Sequence, residues 1–497
     1  PKNVDNVNRT PNVYKVAMDG SARRLTSIVG GSGSRYLTAA GDMLAYENEG
    51  RVYTLTPGSD PRRITLTATV DEKLASEERL VFSEGADQMA YSPKGDRIVF
   101  AIRGELWLIP TKKGKGPNAN DAEQLTDWAG TDEQPVWSGD DNTIVFVSDR
   151  DGARRIYSMD VSTKAVKALT TSDNDCTSLS LTPDRKKVTY WMSGPQGGLY
   201  TVPVAGGAPT RIIDRPYNTS YAWSPDGRYL AYGRPLMNSG FNPWQNSLSL
   251  WVKDMQSDKD QNVTELSFNH VSPEWSADGQ YLYFLSDREN SGVFALPVSP
   301  EEARRFELEP KFTKPTQTPK IEFDYTDTEL RIRRLQTPAS LGALWADPTN
   351  GDIYYGVSGD IWKVGYDGEG ARSITSVGGI GNFWMAQDSN TLFFIRNGQL
   401  QTLNLRANNF PIATHAFRAD WTRFVRLERH AAFNQFWRIY NQTFYDGNFH
   451  GRDWAEIKRR YEPLLDSVGH RNEMAIVLNM MVGELESSHS EVGPGPG

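Results

Sequence analysis

The chain has 497 residues, enough for more than one domain and for a sizeable core. Its net charge of −8, without a Lys/Arg-rich patch, argues against a nucleic-acid partner, and its single cysteine, Cys176, excludes an intramolecular disulfide framework and a cysteine-based zinc site. No run of 18 or more apolar residues occurs, so no transmembrane helix is expected.

The N-terminus, Pro1-Lys2-Asn3-Val4-Asp5, is neither an initiator Met nor a signal peptide, and the chain is expected to begin after a processing site or boundary. Val13-Tyr14-Lys15-Val16 to Arg24-Leu25-Thr26 reads as the closing half of a blade whose opening half lies upstream, because a half blade exposes unpaired edges. Tyr36 to Thr67 supplies a full unit, and the charged stretch 68–83 reads as a connection. One phrase then recurs. Trp223-Ser224-Pro225-Asp226-Gly227 leads into Tyr229-Leu230-Ala231-Tyr232, a Pro/Asp/Gly turn feeding a buried strand. Its Ser/Thr anchor stands at 92, 138, 182, 224 and 276, a period of about 40–50 residues that marks a β-propeller. Each unit closes on a strand ending in Leu-Thr or its equivalent, as in Gln124-Leu125-Thr126, Ala168-Leu169-Thr170 and Arg211-Ile212-Ile213. Weaker anchors at Trp345-Ala346-Asp347 and Trp384-Met385-Ala386 complete seven units, 80–126, 127–171, 172–214, 215–268, 269–335, 336–375 and 376–415.

Two units carry insertions. Arg234 to Ser247 is a Gly/Asn/Pro-rich loop whose Phe241 and Trp244 suit ligand contact or, more commonly, hairpin packing. Residues 300–338 read as a linker followed by alternating strands at Ile321-Glu322-Phe323-Asp324 and Leu330-Arg331-Ile332-Arg333. The fold class is therefore mainly β: a remnant of another propeller at 1–70, a seven-bladed β-propeller at 71–415, and a small, incomplete helical subdomain at 416–497.

In that subdomain the apolar spacing predicts a helix over Trp421 to Tyr440, a break at Gly447 to Gly451, a second helix over Trp454 to Leu465 capped by Asp453, and a third capped by Asn472. Three such helices need a partner layer for their apolar faces. Five of the six histidines, His415, His430, His450, His470 and His489, lie in the last 83 residues. Their spacing gives no i, i+3 or i+4 ligand pair and no HExxH, so no metal is expected, and His415, His430 and His470 read as surface or packing residues. His489 follows the third helix between small hydroxyl residues, Ser487-Ser488-His489-Ser490, where an imidazole can serve as general base or simply complement the helix dipole.

The run Phe433, Trp437, Tyr440, Phe444-Tyr445-Asp446, His450-Gly451, Asp453-Trp454, Tyr461 and Pro463-Leu464, continuing to Gly483-Glu484-Leu485 and Ser488-His489, resembles the first core subdomain of tricorn-type proteases, within the S41 family of serine peptidases. The preceding seven units and blade remnant are similar to that family's order: a six-bladed propeller, a seven-bladed propeller, the first core subdomain, a PDZ domain and a second core subdomain. The resemblance implies cleavage of oligopeptides through an acyl-enzyme, with His489 as general base and Ser488 orienting its ring. It also implies that the nucleophilic serine, the glutamate and the oxyanion hole belong to a PDZ-linked second subdomain not found in these 497 residues, so that this chain alone would be inactive. It implies that the propeller gates peptide access, that no cofactor takes part, that the partners are the remaining catalytic region and further copies in a homo-oligomer, and that the location is cytoplasmic, with periplasmic as the alternative. A TolB-like propeller that binds a protein or peptide without catalysis is the competing reading. A prolyl oligopeptidase would require Gly-x-Ser-x-Gly, which is not visible.

Overall fold

The computed structural model describes residues 10–30, 33–66, 77–112, 120–235, 247–265, 268–288, 290–308, 310–336, 338–487 and 490–493. Its contacts group residues 79–422 into one unit and residues 1–78 with 423–497 into another.

In the first unit, seven four-stranded antiparallel sheets follow one another in sequence, at 88–124, 132–168, 176–213, 221–262, 270–336, 344–373 and 383–415. These are the seven blades. The recurrent phrase makes each inner turn. In the fourth blade the Ser224 backbone N–H donates to the Tyr229 carbonyl at 2.8 Å, and its buried hydroxyl donates to Asp226 at 2.6 Å and accepts from the Tyr229 N–H at 2.8 Å. Gly227 takes the left-handed φ of 69° that the turn requires. Ser276 repeats the arrangement with Asp278 and Tyr281. The weak anchors keep only its backbone part: Asp347 N–H donates to Asp352 O at 2.7 Å, and Ala386 N–H to Thr391 O at 2.8 Å.

The closing threonine has an equally local cause. The fourth strand of a blade is short, and the buried hydroxyls of Thr126, Thr170, Thr264 and Thr375 accept from the N–H groups of Leu106, Ile156, Leu250 and Ile361 at 2.9–3.0 Å, extending the ladder past its end. In the third blade Ile213 pairs directly with Leu199 and does without this bond.

Apolar clusters between successive blades close the ring. Trp137 and Phe146 pack with Val99 and Leu106, Val145 and Ile156 with Val188 and Tyr190, and Trp191 and Leu199 with Leu230 and Tyr232. The series continues through Trp275 with Tyr229, Tyr355 with Tyr283, and Phe394 with Tyr354. It ends where Phe393 and Leu400 of the last blade meet Met89 and Phe100 of the first. No sheet edge faces a missing neighbour in such a closed ring.

Three segments differ from the sequence reading. Part of the expected connection is a strand, Glu78–Phe82, paired with Ala419–Arg423, so Trp421 lies in a strand and the helix expected from it begins later. The expected linker holds a helix, α1 (Pro300–Leu308), and the strand expected at Leu330-Arg331-Ile332-Arg333 is instead the end of a short turn of helix, α2 (Thr328–Arg331), with the strand itself at Arg333–Gln336. The alternating stretch Ile321-Glu322-Phe323-Asp324 is not a strand: Ile321 and Phe323, and Tyr325 after them, are buried beside Trp275, and the alternation reflects one face on a core rather than a ladder. Phe241 and Trp244 lie outside the described residues.

One buried acid in the ring has a measurable consequence. Glu105 is 3% exposed, and burial pushes its carboxyl up to about 8 despite the Thr126 hydroxyl that donates to it. Between the unfolded value near 4.5 and about 8, the folded protein retains a proton that the unfolded chain has released, so stability must fall as pH rises through that window. Glu105→Gln is expected to remove a slope of up to about 1.4 kcal/mol per pH unit from the melting profile. An unchanged slope from pH 5 to 8 would show that Glu105 ionises freely in the fold.

Candidate functional site

In the second unit, Tyr14–Val16 pairs with Ala22–Arg24 as a two-stranded piece, and 35–64 forms a four-stranded sheet. The helices of the same unit are α3 (Val425–Thr443), α4 (Trp454–Tyr461) and α5 (Arg471–Gly483). They bury their faces on one another around Phe433, Trp454, Tyr461 and Met481. Asp453 caps α4, as its position predicts, by accepting from the Glu456 N–H at 2.9 Å. Asn472 does not cap α5; His470 does, through Nδ1, which accepts from the Asn472 N–H, while Glu473 closes a reciprocal box by accepting from the His470 N–H. An imidazole is an unusual cap, which is why the sequence pointed two residues too far.

The segment between α3 and α4 is backbone-strained. Phe449 and His450 have φ of 48° and 52°, held by the Asp446 carboxylate, which accepts from the N–H groups of Asn448 and His450. Those two bonds keep the Asp446 carboxyl below the usual carboxylate range. The strain aims the His450 ring at the end of α5. Nδ1 lies 2.6 Å from the Leu485 carbonyl, so Nδ1 carries the hydrogen and donates, and Nε2 meets the Tyr445 hydroxyl. Next to it Arg452 pairs with Glu486 at 2.7 Å.

His450, Arg452 and Glu486 line an open pocket of about 690 Å³ together with Gly30, Arg460 and Glu484. Glu484 forms its floor, accepting from Arg460 Nη1 on both oxygens, at 2.9 and 2.8 Å, and from the Tyr461 hydroxyl at 2.6 Å. Arg460 also lies 3.4 Å from Glu49, whose carboxyl burial raises. Burial and the Glu484 carboxylate together hold the Tyr461 hydroxyl protonated well above its ordinary range.

Ser488 and His489, the two residues singled out for catalysis, lie outside the described residues. The chain on either side of them is described: Leu485 is fully buried, and Val492 is bonded to Asn479 of α5. The other histidines have structural places. His415 bonds the Thr402 hydroxyl, with burial lowering its pKa, and His430 lies 3.7 Å from Asp466. No group of three or more His, Cys, Asp or Glu able to hold a metal occurs among the described residues. Sequence reasoning missed His450 as an anchor of the post-α5 chain, and it missed Asn479; only the proximity of His450 to a Gly-rich break hinted at a special backbone there.

A closed ring of seven blades joined in sequence to a compact helical subdomain defines the class of protein. Known proteins place it more closely. Residues 87–307 match the tricorn protease N-terminal beta propeller domain, and residues 425–483 match the tricorn protease C1 domain, together more than half of the chain. The tricorn protease of Thermoplasma volcanium is 21% identical over 98% of this chain and 49% of its own length. Tricorn protease homolog 1 of Streptomyces coelicolor is 23% identical over 97% of this chain and 50% of its own. A crystal structure of the tricorn protease has the same fold, with a TM-score of 0.74 at 16% identity over 97% of this chain and 49% of that one. The chain belongs to the tricorn type, and it spans about half the length of the curated relatives it matches. No helix among the described residues is long and apolar enough to cross a membrane.

Proposed function

We propose that this chain is the propeller and imidazole-bearing part of a tricorn-like serine peptidase of the S41 family, one that degrades oligopeptides through an acyl-enzyme. In this reading residues 1–70 belong to a preceding six-bladed propeller, 71–415 form the ring that gates peptide access, and 416–497 are the first core subdomain. The enzyme is a cytoplasmic homo-oligomer. His489 takes the proton from a serine hydroxyl, assigned to no residue of these 497, as that oxygen attacks the peptide carbonyl; it then passes the proton to the leaving amine, and water hydrolyses the resulting ester. Ser488 orients the ring.

The observation that carries this reading is the match of 425–483 to the C1 domain, running directly into a Leu485–Glu486 backbone that His450 and Arg452 hold in place just ahead of Ser488-His489. The test is fluorophosphonate labelling and peptide hydrolysis by the full gene product. Wild type is expected to take the label, and His489→Ala to lose about four orders of magnitude or more in kcat. A product that takes no label and cleaves no peptide would instead favour a TolB-like propeller that only binds its partner.

A further inference from the structure

We propose that Asn479 is a positioning residue for the peptidase base, clamping the chain just beyond His489 as His450 clamps it just before; this rests on the reading of His489 as general base. Asn479 sits half-buried inside α5, where asparagine is a poor helix former. Both the oxygen and the nitrogen of its carboxamide are bonded. Oδ1 accepts from the Val492 N–H at 2.8 Å, and Nδ2 donates to the Val492 carbonyl at 2.7 Å and to the Ala475 carbonyl at 2.8 Å.

The bond to Ala475 lies within the helix, but the two to Val492 form a reciprocal pair of the kind one strand residue makes with another. Only a carboxamide can donate and accept in this way: aspartate lacks the donor, and leucine lacks both groups. The Val492 side chain packs against the helical core, so the amide fixes a residue that is also held by its apolar surface. On the other side, Leu485 is fully buried and its carbonyl takes the His450 N–H, while Glu486, at a left-handed φ of 53°, pairs with Arg452. The backbone is thus fixed to one helical core at 485–486 and again at 492.

A general base must lie within about 2.6–3.2 Å of the proton it takes, and a displacement of about 1 Å can cost about 100-fold in rate. Releasing one of the two anchors therefore affects kcat, while KM, set by the peptide's other contacts, stays.

The experiment compares Asn479→Leu, Asn479→Asp and His489→Ala in the full gene product, with active sites titrated by fluorophosphonate and kcat and KM measured across pH on a fluorogenic peptide. Amide exchange at Val492 is followed alongside. Asn479→Leu is expected to lower kcat per titrated site by about 10- to 100-fold with KM within about twofold, to shift the acid limb of the pH profile, and to speed exchange at Val492. If Asn479→Leu does not fold, Asn479→Asp, which keeps the acceptor for the Val492 N–H, carries the same readouts. Wild-type kcat and pH profile in the folded variant, with His489→Ala inactive, would overturn the positioning role and leave the peptidase reading intact. Full activity in His489→Ala, or none in wild type, would remove that reading and this inference together.

Discussion

Glu484→Ala is expected to destabilise the helical subdomain by about 3–5 kcal/mol, the cost of removing one partner from a buried ion pair. The Glu484 side chain is 5% exposed and answers two groups at once: both of its oxygens accept from Arg460, and one also takes the Tyr461 hydroxyl. Alanine leaves a guanidinium and a buried hydroxyl without that acceptor. Arg460 keeps Glu49 at 3.4 Å and Glu456 at 3.8 Å, which places the expected loss toward the lower end of the range. Glu484→Gln, which keeps one acceptor oxygen but no charge, should cost about 1–3 kcal/mol. Urea unfolding followed by circular dichroism at the helix band reads both, because the long helices of the described residues lie in this subdomain. A midpoint that does not move for Glu484→Ala would mean that water replaces the carboxylate without cost and that the pocket floor is not a structural pair.

Trp454→Ala is expected to cost about 3–5 kcal/mol in the same measurement. Trp454 is 3% exposed, stacks on Phe449 with ring centroids 5.5 Å apart, and lies 5.8 Å from Tyr440. Its indole N–H donates to the Trp437 carbonyl at 2.9 Å, and the Trp437 indole N–H donates back to the Trp454 carbonyl at 3.0 Å. This exchange ties α3 to the start of α4, and with it the strained 449–451 turn that presents His450. Trp454→Phe retains the stack but loses one N–H and should cost about 1 kcal/mol, plus a share for the smaller ring. Equal losses for Phe and Ala would assign the whole effect to the hydrogen bond and contradict the packing account.

The elements that were legible were those whose cause is local. Ser224, Asp226 and Gly227 make a turn with their own backbone, so the phrase that contains them announces the turn in every copy, and the buried Thr126 and Thr170 announce the end of a blade in the same way. Asp453 was legible as a cap because its side chain bonds three residues on. The stretch 321–324 alternates without being a strand, because alternation reports a buried face and not the presence of a hydrogen-bonded neighbour. Residue preference points to Asn472 as the cap, but preference is only a tendency, and the Glu473 that completes the box with His470 outweighs it.

A mainly β chain of seven propeller units followed by tricorn-like helices can be read from residue order alone, because repeats, turns and helical periodicity act over a few residues and leave the same mark wherever they occur. The folded chain, by contrast, is what holds Glu105 as a buried acid, gathers Arg460 and Tyr461 on Glu484, and bonds His450 to Leu485 and Asn479 to Val492. Each of these depends on burial or on a partner distant in sequence. Desolvation and long-range hydrogen bonds exist only once the chain has closed on itself, so no local pattern encodes them.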